Sequence, residues 1–173
     1  SYWDQYWYPR QVIPRLLGKI ASAFGSSSAG PALSFSEYNA GCEGAISGGV
    51  AEADLLGIFG REGVFAASAW PLSNPAGPYL VAAYALYRNY DGAGAVVGDT
   101  AVRATTSDDK HTSIYAFVHA DDAAEAELVA INKLATAQDV TIQIASAPAF
   151  TTATLYHLVD GNAAVVADTG TAP

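Results

Sequence analysis

Apolar side chains at Val12, Ile13, Leu16, Leu17, Ile20, Ala23 and Phe24 recur at the spacing of one helical face, so residues 11–24 are predicted to form a helix. Pro9 stands near its start, where a missing N–H costs nothing, while Pro14 falls early in the run and could move the true N-terminus. The Gly/Ser-rich stretch 25–31 reads as a loop. Over residues 32–36 the period drops to two, with Leu33 and Phe35 on one side, which predicts a short strand ending at Glu37. A small-residue loop, 39–44, precedes a second helical pattern on Ile46, Val50, Ala53 and Gly57. Glycines at 48, 49, 57 and 60 weaken that helix by propensity but let it approach a sheet closely. Residues 64–70 read as a second strand stopped by Pro71, and Leu80, Ala83, Tyr84 and Tyr87 mark a third helix. Strands and helices alternating at this spacing predict parallel strands joined by crossover helices.

Beyond Asp91-Gly92 the pattern changes. Segments of period two recur at about 100–106, 113–119, 127–132, 140–145, 152–159 and 163–167, separated by turns rich in Asp, Ser and Gly. Short strands with polar turns at this spacing predict an antiparallel β-sandwich. The expected fold class is therefore α/β plus all-β. Residues 1–91 would form a partial (β/α) segment and residues 92–173 a sandwich, with the boundary near 91–94.

Composition narrows the functional classes. The chain of 173 residues is 51% hydrophobic and 14% charged, enough to bury a core. Its net charge is −9, with three basic against ten acidic residues over 92–173. Such a surface repels phosphate backbones and anionic lipid, so neither nucleic acid nor a membrane is an expected partner. No apolar run has the length of a membrane span, and no signal peptide is visible. The single cysteine, Cys42, excludes an internal disulfide and a Cys-based zinc site; a small buried filler is the expected role, a loop thiol the alternative.

Reactive groups on a parallel sheet collect at the C-terminal strand ends. Glu37 closes the first predicted strand and Trp70 the second, so neighbouring strands would bring a carboxylate and an indole to one rim. Sugar cleavage needs such a pair: a carboxylate at the anomeric carbon and an apolar face under the pyranose ring. The alternative is a strand-end ion pair and a core tryptophan. The cluster from Tyr2 to Tyr8, which contains Trp3 and Trp7, is either a sugar-stacking loop or apolar packing. Tyr38 and Asn39 could bond a hydroxyl or orient Glu37, although an asparagine here is also an ordinary turn residue. Glu43, Glu52, Asp54 and Glu62 are expected on solvated faces. His111, His119 and His157 show no metal-ligand spacing among themselves, and no metal site is assigned. Asp108-Asp109 and Asp121-Asp122 read as exposed turn acids, with Ca²⁺ held at a turn as the alternative. The Gly-rich stretch 41–49 lacks the Lys-Ser/Thr of a phosphate loop, and no serine lies in a G-x-S-x-G context, so neither a cofactor nor an esterase triad is expected.

The stretch Leu33-Ser34-Phe35-Ser36-Glu37-Tyr38-Asn39, followed by Gly41, Glu43, Ile46-Ser47-Gly48-Gly49, Ala53-Asp54 and Gly57-Ile58-Phe59-Gly60-Arg61-Glu62-Gly63-Val64, resembles glycoside hydrolase family 44. Leu86-Tyr87-Arg88-Asn89-Tyr90-Asp91-Gly92, Gly98-Asp99-Thr100 and Ala104 to Asp108 continue the likeness, from about Trp7 to near the C-terminus. The resemblance implies the last units of a (β/α)₈ barrel followed by a β-sandwich. It further implies retaining hydrolysis of β-1,4-glucans such as cellulose derivatives and xyloglucan, in a secreted protein. The family's strand-end Thr/Ser-Glu-Tyr motif maps its nucleophile onto Glu37. Two departures stand out. Ala40, Cys42, Gly44 and Ala45 occupy positions where larger or polar residues are expected. The Asn-Glu-Pro-like setting of the family's acid/base is also absent from these residues, which leaves Glu43 as the nearest candidate for that role. Two or three βα units cannot close a barrel, so the chain reads as a fragment, a truncated form whose sheet self-association completes, or a remodelled protein with a different second carboxylate. A homo-oligomer is expected, and a non-catalytic glucan-binding or structural fragment is the alternative.

Overall fold

In a computed structural model of the protein, residues 9–25, 30–70, 77–122, 124–145, 150 and 152–168 are described. The elements run α1 (Pro9–Phe24), β1 (Ser34–Tyr38), α2 (Ile46–Glu62), β2 (Ala66–Ala69), α3 (Pro78–Arg88), β3 (Thr100–Val102), β4 (Thr112–Val118), β5 (Ala126–Asn132), β6 (Leu155–Val159) and β7 (Asn162–Asp168). Helix α1 passes through Pro14 without restarting there, at the cost of one internal backbone bond, and it buries Ile13.

Strands β1 and β2 pair in parallel and α2 is their crossover. The predicted βαβα unit is therefore present among the described residues, and no barrel closes. Gly63, in the left-handed conformation at φ 70°, ends α2; the Val64 N–H reaches back 2.9 Å to the Phe59 carbonyl, which is a Schellman stop. Close approach explains two of the glycines inside the helix. A Cβ on Gly48 would sit 2.1 Å from the Cys42 carbonyl oxygen, and one on Gly57 2.3 Å from the Tyr115 ring. Cys42 itself is exposed, at φ 54°, and not the buried filler expected; the tight loop turns its side chain out.

The β-rich half forms two antiparallel sheets, β3-β4-β5 and the hairpin β6-β7. Asp160-Gly161 makes the two-residue hairpin turn, with Gly161 at φ 80°, and the Gly161 N–H donates 2.9 Å to the Tyr79 hydroxyl. Both sheets lie against helices, the three-stranded one on α2 and the hairpin on α3. The strand expected at 140–145 does not form. Val140, Ile142 and Ile144 keep their alternation but are exposed, and among the described residues no neighbouring strand pairs with them. Ile13, Ala53, Ile58, Phe59, Ala83, Tyr87, Tyr115, Phe117 and Ile131 make one core cluster. It draws on residues from both sides of the expected boundary at 91/92, with α2 between the parallel sheet and the antiparallel one.

Candidate active site

The C-terminal rim of the parallel sheet begins with an irregularity. Ser34 pairs with Ala66 and Phe35 with Ala67, but the next partners are Tyr38 and Ala69, so three steps on β1 match two on β2. The extra residue is a bulge, and it changes which way side chains point. Phe35 and Tyr38, three apart, both pack on Phe59 of α2, with ring centroids at 5.4 and 5.2 Å. Ser36 and Glu37, between them, are exposed. Strand β1 thus runs one residue past Glu37 and does not end at it. Among the described residues, no group bonds the Glu37 carboxylate.

Trp70 follows β2 directly, 66% exposed, and its N–H donates 2.8 Å to the Tyr38 carbonyl. Asn39 is the clasp of this rim. Its Oδ1 accepts the Gly41 N–H at 2.5 Å, while its Nδ2 donates to Glu43 Oε1 at 2.8 Å and to the Trp70 carbonyl at 2.7 Å. The asparagine therefore acts as a turn residue that ties the 39–43 loop to the end of β2. Its bond to Glu43 holds that carboxyl below the usual range, which suits a standing anion and not a proton donor. The structure thus brings Glu37, Asn39, Glu43 and Trp70 to one rim. Trp3 and Trp7 lie outside the described residues.

Tyr38 is on the same strand end but faces inward. Its hydroxyl donates to Glu52 Oε1 and lies 2.6 Å from the Tyr84 hydroxyl, so it is engaged by the protein and not turned toward a substrate beside Glu37. Burial, with Glu52 next, pushes the Tyr38 phenol well above its ordinary range. Glu52, expected on a solvated face, is 0% exposed, and its Oε2 has no hydrogen-bond partner. Burial raises its pKa, against the opposing bonds from Tyr38 and Tyr84. The signal for it was present in the sequence. Position 52 lies four and three residues after Gly48 and Gly49 on the stripe that continues to Phe59. Asp54 is also partly buried, bonded by Tyr115 at 2.6 Å and by Lys133 at 2.8 Å. Burial works against its charge, but those bonds and one from Ser113 hold its pKa below the ordinary value.

An exposed carboxylate and an indole stand at the C-terminal rim of a parallel βα unit, where sheets of this kind gather their functional groups, and this sets the class only as a portion of an α/β fold. Comparison with known proteins narrows it. No family profile matches the chain. It is 37% identical over 157 residues to the beta-mannanase/endoglucanase A of Caldicellulosiruptor saccharolyticus, a match covering 89% of this chain and 11% of that one. The family 44 endoglucanase of Clostridium thermocellum superposes with a TM-score of 0.80 at 30% identity, over 98% of this chain and 32% of the other. The family 44 xyloglucanase of Paenibacillus polymyxa, solved with xyloglucan, gives 0.67 at 38% identity, over 77% and 25%. The chain is a relative of the family 44 glycoside hydrolases, and it spans about a tenth to a third of the length of these proteins.

Proposed function

We propose that the chain carries the nucleophile half of a β-1,4-glucan hydrolase site, with Glu37 as the nucleophile of a retaining mechanism. The observation that carries this reading is the bulge in β1. It leaves Glu37 exposed at the rim while its neighbours are held on α2, within a stretch related to enzymes named as endoglucanases and xyloglucanases. In the first step Glu37 attacks the anomeric carbon and the glycosidic bond breaks as an acid protonates the leaving oxygen. Water then hydrolyses the glycosyl ester. Trp70 offers an exposed ring face for a glucose unit.

The acid must lie about 5–5.5 Å from Glu37. Glu43 is held as an anion, and Glu52 is sealed behind Tyr38, so neither environment supplies that proton. The partner carboxyl then has to come from further βα units set against the open edges of β1 and β2, either the rim of a second copy of this chain or additional polypeptide. The antiparallel half is the scaffold of a sandwich-like region, and the site of action is outside the cell, where glucan polymers are met. Release of reducing ends from xyloglucan or carboxymethylcellulose, compared between wild type and Glu37→Gln, tests the assignment. Turnover falling by about 10³-fold or more supports it; unchanged turnover rejects it. A second reading, a glucan-binding module without chemistry, is favoured by the Asn39 Nδ2 bond that engages Glu43 as part of the loop clasp. Retention of the wild-type chain on soluble glucan with no new reducing ends would select it.

A further inference from the structure

A second group of ligand-type side chains lies away from the Glu37 rim, at the turn end of the β4-β5 hairpin. Val118 pairs with Ala126, so continuing the ladder sets His119 opposite Glu125, with Glu127 two residues further along the same face. Phe117, the direct partner of Glu127, is buried, so this is the inward face of the sheet. One ligand atom from each of His119, Glu125 and Glu127 lies within 4.8 Å of the others. The His119 and Glu127 side chains are only 24% and 13% exposed.

Both carboxylate oxygens of Glu127 are engaged. Its Oε2 accepts the Gly98 N–H at 3.0 Å, and its Oε1 faces His119 Nε2 at 3.1 Å. Gly98 can approach because it lacks a side chain: a Cβ there would fall 2.3 Å from the Val118 carbonyl group. Two ligands held about 2.0–2.1 Å from one zinc at the tetrahedral angle lie about 3.3 Å apart. The His119–Glu127 pair, at 3.1 Å, is close to that, and Glu125 is within 4.8 Å of both. Charge points the same way. Among the described residues no Lys or Arg pairs with Glu125 or Glu127, and an imidazolium would neutralise only one of the two carboxylates. A divalent cation on neutral imidazole neutralises both.

We propose that His119, Glu125 and Glu127 form a zinc site, with the Gly98 N–H orienting Glu127 and water completing the coordination. Imidazole nitrogen favours zinc over calcium, which takes six to eight oxygens. Zinc then ties the β4-β5 hairpin end to the loop that carries Gly98, a structural role independent of Glu37.

Calorimetric titration of the intact chain with ZnCl₂ at pH 7.5 tests this, with His119→Ala, Glu125→Gln and His111→Ala as variants. The expected result is one saturable site, weakened at least about tenfold in the first two variants and unchanged in the third. Glu125 is exposed, so its variant keeps the fold even if His119→Ala does not. Uptake that is absent in wild type up to 1 mM, or equal in wild type and Glu125→Gln, overturns the proposal and leaves a His119–Glu127 ion pair. Tighter binding of CaCl₂ than of ZnCl₂ overturns the choice of metal.

Discussion

Glu52 is the residue whose environment departs furthest from what its chemistry invites. A carboxyl shut off from water, with one oxygen bonded by Tyr38 and the other without a partner, is stable mainly when protonated. Its folded pKa is raised by burial. A carboxyl raised on folding adds stability that is fully present below its unfolded pKa, about 4.3, and is lost as pH rises through the folded value. Glu52→Gln keeps a neutral group of the same shape and removes the titration. Denaturant unfolding at a series of pH values is therefore expected to show the wild type losing stability relative to the variant from about pH 5 upward. Parallel curves would mean that Glu52 ionises in the fold at no cost. Helical period alone places position 52 on the buried stripe. Residue type argued for solvent, and that preference was misleading because two tyrosines, 14 residues before it in sequence and 32 after, supply its partners.

At the scale of elements, the helices were legible because each carries a stripe at period 3.6, and most strands because each alternates. What the pattern could not show is pairing. Residues 140–145 alternate like a strand, yet none forms there among the described residues, because alternation says nothing about a neighbour. The bulge in β1 was likewise invisible, since it depends on α2 offering Phe59 to both Phe35 and Tyr38. His119 gave no metal spacing among histidines, because its companions are glutamates reached across a hairpin register. Of the α2 glycines, Gly57 and Gly60 meet the antiparallel sheet as expected, whereas Gly48 meets the Cys42 loop and Gly49 chiefly Tyr79 of α3. Gly57→Ala gains about 1 kcal/mol of helix propensity but presses a methyl into the Tyr115 ring, and overpacking of that kind costs about 1–3 kcal/mol. Tyr115 is buried and bonded to Asp54, so it has little freedom to yield. The net expectation is a loss of about 1 kcal/mol in chemical denaturation. Gly18→Ala in α1, with nothing within 4 Å, should instead gain about 0.5–1 kcal/mol. A gain in both would show that the α2–β4 contact is loose.

For the whole molecule the deciding feature is the parallel sheet, which has only two strands among the described residues. An open edge of unpaired backbone groups is a template for another chain. At either end of β2, Phe65 and Trp70 are 77% and 66% exposed, large apolar groups beside that edge. Further strands against this sheet would cover them and bring a second carboxyl toward Glu37. If copies of this chain provide those strands, light scattering on the eluting protein should give at least twice 17.9 kDa. The net charge of −9 opposes the contact between copies, and salt screens that repulsion over about 10 Å at 0.1 M. Association is therefore expected to strengthen between about 20 and 300 mM NaCl, the reverse of an assembly held by ion pairs. Phe65→Asp should weaken it by adding charge at the apolar edge, while leaving β1, α2 and the bulge in place. A strictly monomeric mass at every salt concentration would rule out self-completion, and the acid for Glu37 would then have to come from additional polypeptide. Reducing-end release that appears only at concentrations where the assembly forms would tie the Glu37 reading to the oligomer itself.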